Sequence, residues 1–180
     1  VDVQQLEPSL VLDVRYATTN NFLRRAVYPV ARVLLRRPVA ERLVAAHRRL
    51  QASGLRLKVY DGYRPLSVQR QMWSLLPDPR YVADPAQGSR HNRGAAVDVT
   101  LVDGQGRELE LPTAYDDFTP RAAADAPTTA TAARNRAVLQ QAMEAEGFRR
   151  LASEWWHFDG PGADGYGLVD VPLTATAPVR

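Results

Sequence analysis

Apolar residues recur along this chain at two periods, and the switches between them lay out its elements. Leu10, Leu12 and Val14 alternate with Val11, Asp13 and Arg15, the period of a half-buried strand. Turn formers from Tyr16 to Phe22 end it. Over residues 38–52 the positions Val39, Leu43, Ala46 and Leu50 follow helical spacing, with Pro38 suited to the first turn and Gly54 to the stop. Alternation returns at Leu55, Leu57 and Val59 and runs into a turn at Asp61-Gly62-Tyr63-Arg64-Pro65. Residues 66–76 predict a second helix with Val68, Met72 and Leu75 on one side, stopped by Pro77 and Pro79.

A polar loop leads to the next strand, 95–101, whose Val97, Val99 and Leu101 share one face while Ala96, Asp98 and Thr100 share the other. Asp103-Gly104-Gln105-Gly106 is a tight-turn signal, so residues 108–111 are expected to return as a hairpin partner. Residues 112–127 read as a long irregular segment, the kind that in a compact domain often carries function. A third helix is predicted over 131–146, burying Ala133, Ala137, Leu139, Ala142 and Met143, with Gly147 at its end. Residues 148–158 read as a final strand, and the glycine-rich tail from Gly160 as irregular.

Length and composition bound this picture. The chain has 180 residues, 45% of them hydrophobic, and no internal repeat, which predicts one domain spanning 1–180 with a core that needs no staple. It contains no cysteine, so a metal would be held by nitrogen and oxygen alone. The net charge of +3 comes from arginines scattered among acids and apolar residues, a poor pattern for nucleic acid. The one dense cluster, Arg24, Arg25, Arg32, Arg36 and Arg37, lacks interleaved aromatics and reads as a solvated basic face. No apolar run approaches the roughly 20 residues of a membrane span. The chain begins at Val1 rather than methionine, as a processed export signal or a trimmed terminus would leave it; a periplasmic or exported location is the expectation, with the cytoplasm as alternative.

Candidate chemistry concentrates in two stretches. Residues 89–100 carry His91 and Asp98, and Glu154-Trp155-Trp156-His157 adds a second imidazole and another carboxylate. Two of only three histidines thus lie in short segments that also hold carboxylates, and Gly94 permits close backbone approach beside one of them. His91, Asp98 and His157 form the donor set that leaves one position of a tetrahedral zinc open for water. His47, between arginines in the first long helix, reads as an ordinary surface or boundary histidine outside this set.

A carboxylate that is not a ligand can take the proton as water attacks a carbonyl, and Glu154 is the candidate. Glu154 and His157 are three apart, which on a regular strand sends them to opposite faces, so a bend or bulge must lie between them if both serve one site. An arginine suits the oxyanion that forms, and Arg64 sits in a constrained turn, although spacing alone does not select it among the arginines.

These segments resemble the D-alanyl-D-alanine dipeptidases of the zinc DD-peptidase family. The likeness is carried by Tyr16-Ala17-Thr18 with Asn21-Phe22, by Asp61-Gly62-Tyr63-Arg64-Pro65, by residues 89–100 in the form SxHxxGxAxDxT, and by Glu154-Trp155-Trp156-His157. The resemblance implies an α+β fold with a central, largely antiparallel sheet flanked by helices. It implies one zinc ion per chain on His91, Asp98 and His157, Glu154 as general base and Arg64 as transition-state stabiliser. It further implies that Asp116 and Tyr16 hold the amino group of a small dipeptide and that Ser89 lies near its carboxylate. Tyr115 stands where a phenylalanine is expected, and residues 119–130 are alanine-rich. The expected reaction is hydrolysis of D-Ala-D-Ala to two D-alanines. A zinc D,D-carboxypeptidase or endopeptidase acting on peptidoglycan stem peptides is the nearest alternative, and a non-catalytic zinc-holding module a remote one.

Overall fold

The strand that carries Asp98 is buried along its whole length, on both faces. In the computed structural model, which describes residues 1–175, it lies at the centre of a five-stranded sheet. In chain order the elements are α1 (Val3–Leu6), β1 (Val11–Leu12), α2 (Arg37–Gln51), β2 (Arg56–Asp61), α3 (Leu66–Leu75), β3 (Ala96–Val102), α4 (Ala130–Glu144), β4 (Arg149–Leu151) and β5 (Glu154–Asp159). The sheet order is β1-β2-β3-β5-β4, with β1 parallel to β2 and every other neighbouring pair antiparallel. This is the α+β arrangement with a largely antiparallel sheet.

Leu57, Val59, Val97, Val99 and Leu101 form one face of that sheet and join Val39, Leu43, Leu139 and Met143 of α2 and α4 in one hydrophobic cluster. The opposite face of β3 carries Asp98 and Thr100, and it is covered by the loops that build the cleft described below. A charged residue on a buried strand needs partners on that face.

Several elements differ from the sequence reading, each for an identifiable reason. The first strand pairs only at Val11 and Leu12, because Arg15–Ala17 winds into a single 3-10 turn and the Tyr16 carbonyl accepts from the N–H of both Val27 and Tyr28. The expected hairpin partner at 108–111 makes one bridge, Val102 to Glu108, and a bond from Leu109 N to Leu101 O. The Glu110 carbonyl then accepts from Asn135 of α4 instead of extending a ladder. The final strand is two strands, β4 and β5, turned at Ala152-Ser153 without the glycine or proline that would have announced it.

On α4, Thr129 caps the N-terminus by accepting from Ala132 N, and Ala132 is buried where Ala137 was expected. On α3, Leu75 is 53% exposed and Gln69 is fully buried in its stead. His47 is not at the surface: it is buried, its Nδ1 accepting from Leu57 N at 3.1 Å and its Nε2 lying 2.9 Å from Ser9 Oγ. The basic cluster is only partly solvated, since Arg32 pairs with Asp2 and Arg36 lies over the Tyr166 ring. Among the described residues no helix is long and apolar enough to cross a membrane.

Candidate active site

Strand register brings two of the predicted donors together. Asp98 on β3 pairs directly with His157 on β5, and cross-strand partners project on the same face about 5 Å apart. His91 reaches them from the turn His91–Arg93 just before β3, a turn closed by Gly94 at φ 66°, in the left-handed region that glycine enters freely. The Gly94 carbonyl accepts from Arg36 N at 2.8 Å, which ties this turn to the start of α2.

The facing atoms form a tight triangle. His157 Nδ1 lies 3.0 Å from Asp98 Oδ1 and 3.1 Å from His91 Nε2, and His91 Nε2 lies 3.3 Å from Asp98 Oδ1. All three residues are buried, and the group can hold a metal ion. Donors about 2.0–2.1 Å from a tetrahedral zinc stand roughly 3.3 Å from one another, so these separations fit with little movement.

The outer nitrogens determine which inner atoms carry lone pairs. His91 Nδ1 lies 2.7 Å from the Gly62 carbonyl, which can only accept, so Nδ1 is the protonated nitrogen and Nε2 faces inward bare. His157 Nε2 lies 3.0 Å from Asp159 Oδ1 and is oriented the same way. Burial by itself would lower the His157 pKa, but the bonds to Asp159 and Asp98 outweigh it and lift the imidazole to about 10. Burial would raise Asp98, and the two imidazoles beside it hold its carboxylate far below the usual range instead. A proton on His157 Nδ1 therefore stands where a cation would bind, and a metal must displace it.

The required irregularity lies between Glu154 and His157. Arg150 pairs with Phe158 and the next residue, Leu151, with Glu154, so β5 passes Trp155, Trp156 and His157 without matching partners on β4. Glu154 Oε2 ends 3.9 Å from His157 Nδ1. Burial, with the Asp98 charge adding to it and His157 opposing it, moves the Glu154 carboxyl up to about 6.

A second irregularity brings in a residue that sequence reasoning did not single out. Val59 pairs with Val99 but Asp61 pairs with Asp98, which leaves Tyr60 as an extra residue on β2. Strict alternation would send Asp61 to the core face with Val59; the bulge turns it to the Asp98 face. There it is fully buried and accepts from Tyr28 Oη, Gly62 N, Arg64 Nε and Arg64 Nη2. Arg64 also donates from Nη1 to Gln69 Oε1 at 2.9 Å and stands over the Tyr16 ring. Three of its five N–H groups are thereby used and two remain for a ligand. Gln69, next to Val68 on α3, left no signal in the sequence, whereas Asp159 could have been read as lying two residues from His157 on the same strand face.

One cleft of about 250 Å³ is lined by all eight predicted residues: Tyr16, Arg64, Ser89, His91, Asp98, Asp116, Glu154 and His157. Asp116, at φ 60°, accepts from Tyr16 Oη at 3.2 Å. Its pKa is pushed well above the ordinary carboxylate value by burial and by the charge of Asp98. Ser89 Oγ accepts from His91 N at 3.2 Å. Phe118 from the same loop as Asp116 packs on Phe22 and Tyr81 at the rim.

A sheet that carries a buried His-Asp-His cage, with a free carboxylate and an anchored arginine in one small cleft, is the framework of a metallopeptidase. Residues 1–174 match the family model Peptidase_M15, described as D-ala-D-ala dipeptidase, and the chain belongs to this family of metallopeptidases. It is 39% identical to a D-alanyl-D-alanine dipeptidase of Escherichia coli (strain K12), over 94% of this chain and 88% of that protein. Dipeptidases of the same description from Streptomyces coelicolor (31%, over 95% and 96%) and Enterococcus faecalis (30%, over 91% and 88%) are also similar. Among solved structures, the L-Ala D-Glu endopeptidase ChiX of Serratia marcescens aligns at 20% identity with a TM-score of 0.41, over 72% of this chain and 85% of that one.

Proposed function

We propose that this chain hydrolyses the dipeptide D-Ala-D-Ala to two D-alanines, with one zinc ion held by His91 Nε2, Asp98 Oδ1 and His157 Nδ1. The observation that carries the reading is the triangle of those atoms, 3.0–3.3 Å on each side, with the Glu154 carboxylate 3.9 Å away in the same cleft as Arg64. Zinc so held supplies Lewis acidity and lowers the pKa of water near it.

The chain's own groups divide the remaining work. Glu154 takes the proton of the attacking water on its carboxylate and delivers it to the leaving amine nitrogen. Arg64, kept in place by Asp61 and Gln69, donates its two remaining N–H groups to the oxyanion that develops on the carbonyl oxygen. Asp116, with Tyr16, receives the substrate ammonium. Burial and the charge of Asp98 push the Asp116 pKa up, and the positive charge of a substrate ammonium lowers it, so a free amino group is the partner this carboxyl suits. Ser89 lies toward the substrate carboxylate.

The cleft of about 250 Å³ has room for a small dipeptide, and Asp116 within it offers a free amino group a partner that an amino-blocked peptide cannot use. Purified protein with zinc is expected to release D-alanine from D-Ala-D-Ala and to act poorly on an amino-blocked tripeptide. Full activity after Glu154→Ala or Arg64→Ala would refute the assigned roles. Faster cleavage of the blocked tripeptide would assign the chain to the carboxypeptidase reading instead.

A further inference from the structure

Tyr115, in the loop that precedes α4, reaches the cage. Tyr115 Oη donates to Asp98 Oδ2 at 2.8 Å, while the other carboxylate oxygen, Oδ1, faces His91 and His157. Asp98 is 3% exposed, so an Oδ2 without a donor would be a desolvated charge lacking compensation. The hydroxyl is delivered rigidly: the Tyr115 ring stacks on Tyr60 with centroids 4.4 Å apart at 21°, and meets Trp156 edge-on at 5.5 Å. Tyr60 is the extra residue of the β2 bulge, so the distortion that turns Asp61 into the site also builds the platform for Tyr115.

We propose that Tyr115 is a positioning residue for the metal site, its hydroxyl engaging Asp98 Oδ2 so that the carboxylate offers a single oxygen to the cage. This rests on the metal-binding reading above. Without the hydroxyl, Oδ2 has no donor and the carboxylate is no longer held with Oδ1 toward His91 and His157. The three donors are then less well ordered before a cation arrives, and the cage would bind it more weakly. Because Asp116 is the next residue in the chain, the same anchor joins the metal end of the cleft to its ammonium end.

The test is Tyr115→Phe, which keeps the ring and its stacking and removes one oxygen. Two readouts are independent of turnover: zinc affinity by competition with a chromogenic chelator, and the visible absorption of the cobalt-substituted protein. Outer-shell hydrogen bonds to ligands typically change metal affinity about 10–100-fold, and a loss of that size with shifted cobalt bands is expected. The control, Tyr60→Phe, removes a neighbouring hydroxyl that bonds to Glu108 and not to Asp98, and both readouts should stay at the parent values. Unchanged affinity and spectrum in Tyr115→Phe would overturn the proposal. So would an equal loss in both variants, which would assign the effect to packing. A parent protein that takes up no metal would instead refute the function proposed above, and this inference with it.

Discussion

Asp61→Ala is the substitution whose consequences follow most directly from the geometry. Asp61 is fully buried and its carboxylate accepts four hydrogen bonds, two of them from the Arg64 guanidinium at 2.7 and 3.1 Å. Removing it leaves Arg64, itself 8% exposed, as a buried cation held by the hydrogen bond to Gln69 and the Tyr16 ring. Breaking a buried pair from one side costs about 3–5 kcal/mol. For a domain of this size each kcal/mol moves the melting temperature by roughly 2–4 °C, so a fall of about 6–20 °C is expected. Thermal unfolding followed by circular dichroism measures it. A double-mutant cycle with Arg64→Ala separates the pair from the loss of the Tyr28 and Gly62 contacts. Charge-assisted hydrogen bonds contribute about 1.5–3 kcal/mol each, so the coupling should exceed about 1.5 kcal/mol, and a value below about 0.5 would refute the reasoning. Turnover in Asp61→Ala should fall about 10²–10³-fold, the loss seen when an oxyanion donor is misplaced.

Other expectations concern protons, metal and backbone. With Glu154 as base, kcat/KM should drop as pH falls through about 6, the value to which burial moves its carboxyl; an acid limb well above that value would exclude Glu154. Metal uptake should release the proton held by His157, whose pKa lies near 10, so apparent affinity should rise about tenfold per pH unit below that range. Calorimetry in buffers of different ionisation enthalpy counts that proton, and an enthalpy independent of buffer would contradict it. Gly62→Ala should weaken metal binding, since an added Cβ would stand 2.6 Å from Val33 Cγ1 and 3.3 Å from the Leu34 carbonyl, displacing the Gly62 carbonyl that orients His91. Chelator titration checks it, and an affinity within about twofold of the parent would show that the backbone yields without cost.

Sequence alone was enough to bring His91, Asp98 and His157 forward as a candidate donor set, and the fold places them side by side. Imidazoles and carboxylates were rare and clustered, the absence of cysteine left nitrogen and oxygen as the donor atoms, and alternation at Val97, Val99 and Leu101 put Asp98 on the face opposite the core. It also showed that Glu154 and His157 could share a site only across an irregularity, because the period of two is a local property of any strand. The helices over 37–51, 66–75 and 130–144 were legible for the same reason, their apolar spacing being written in consecutive residues.

Only the tertiary structure decided how those residues are held. Pairing of Asp98 with His157, the extra residue at Tyr60 that turns Asp61 inward, and the anchoring of Asp98 by Tyr115 each join separate segments, and Gln69 meets Arg64 only because α3 folds back after the turn that follows β2. Register and bulges are settled by how whole strands and loops pack together, and a buried charge takes its partner from whatever that packing brings within about 3 Å. No local pattern encodes that partner, which is why His47 read as an ordinary surface or boundary histidine and Leu75, not Gln69, as a buried position of α3 until the fold was in view.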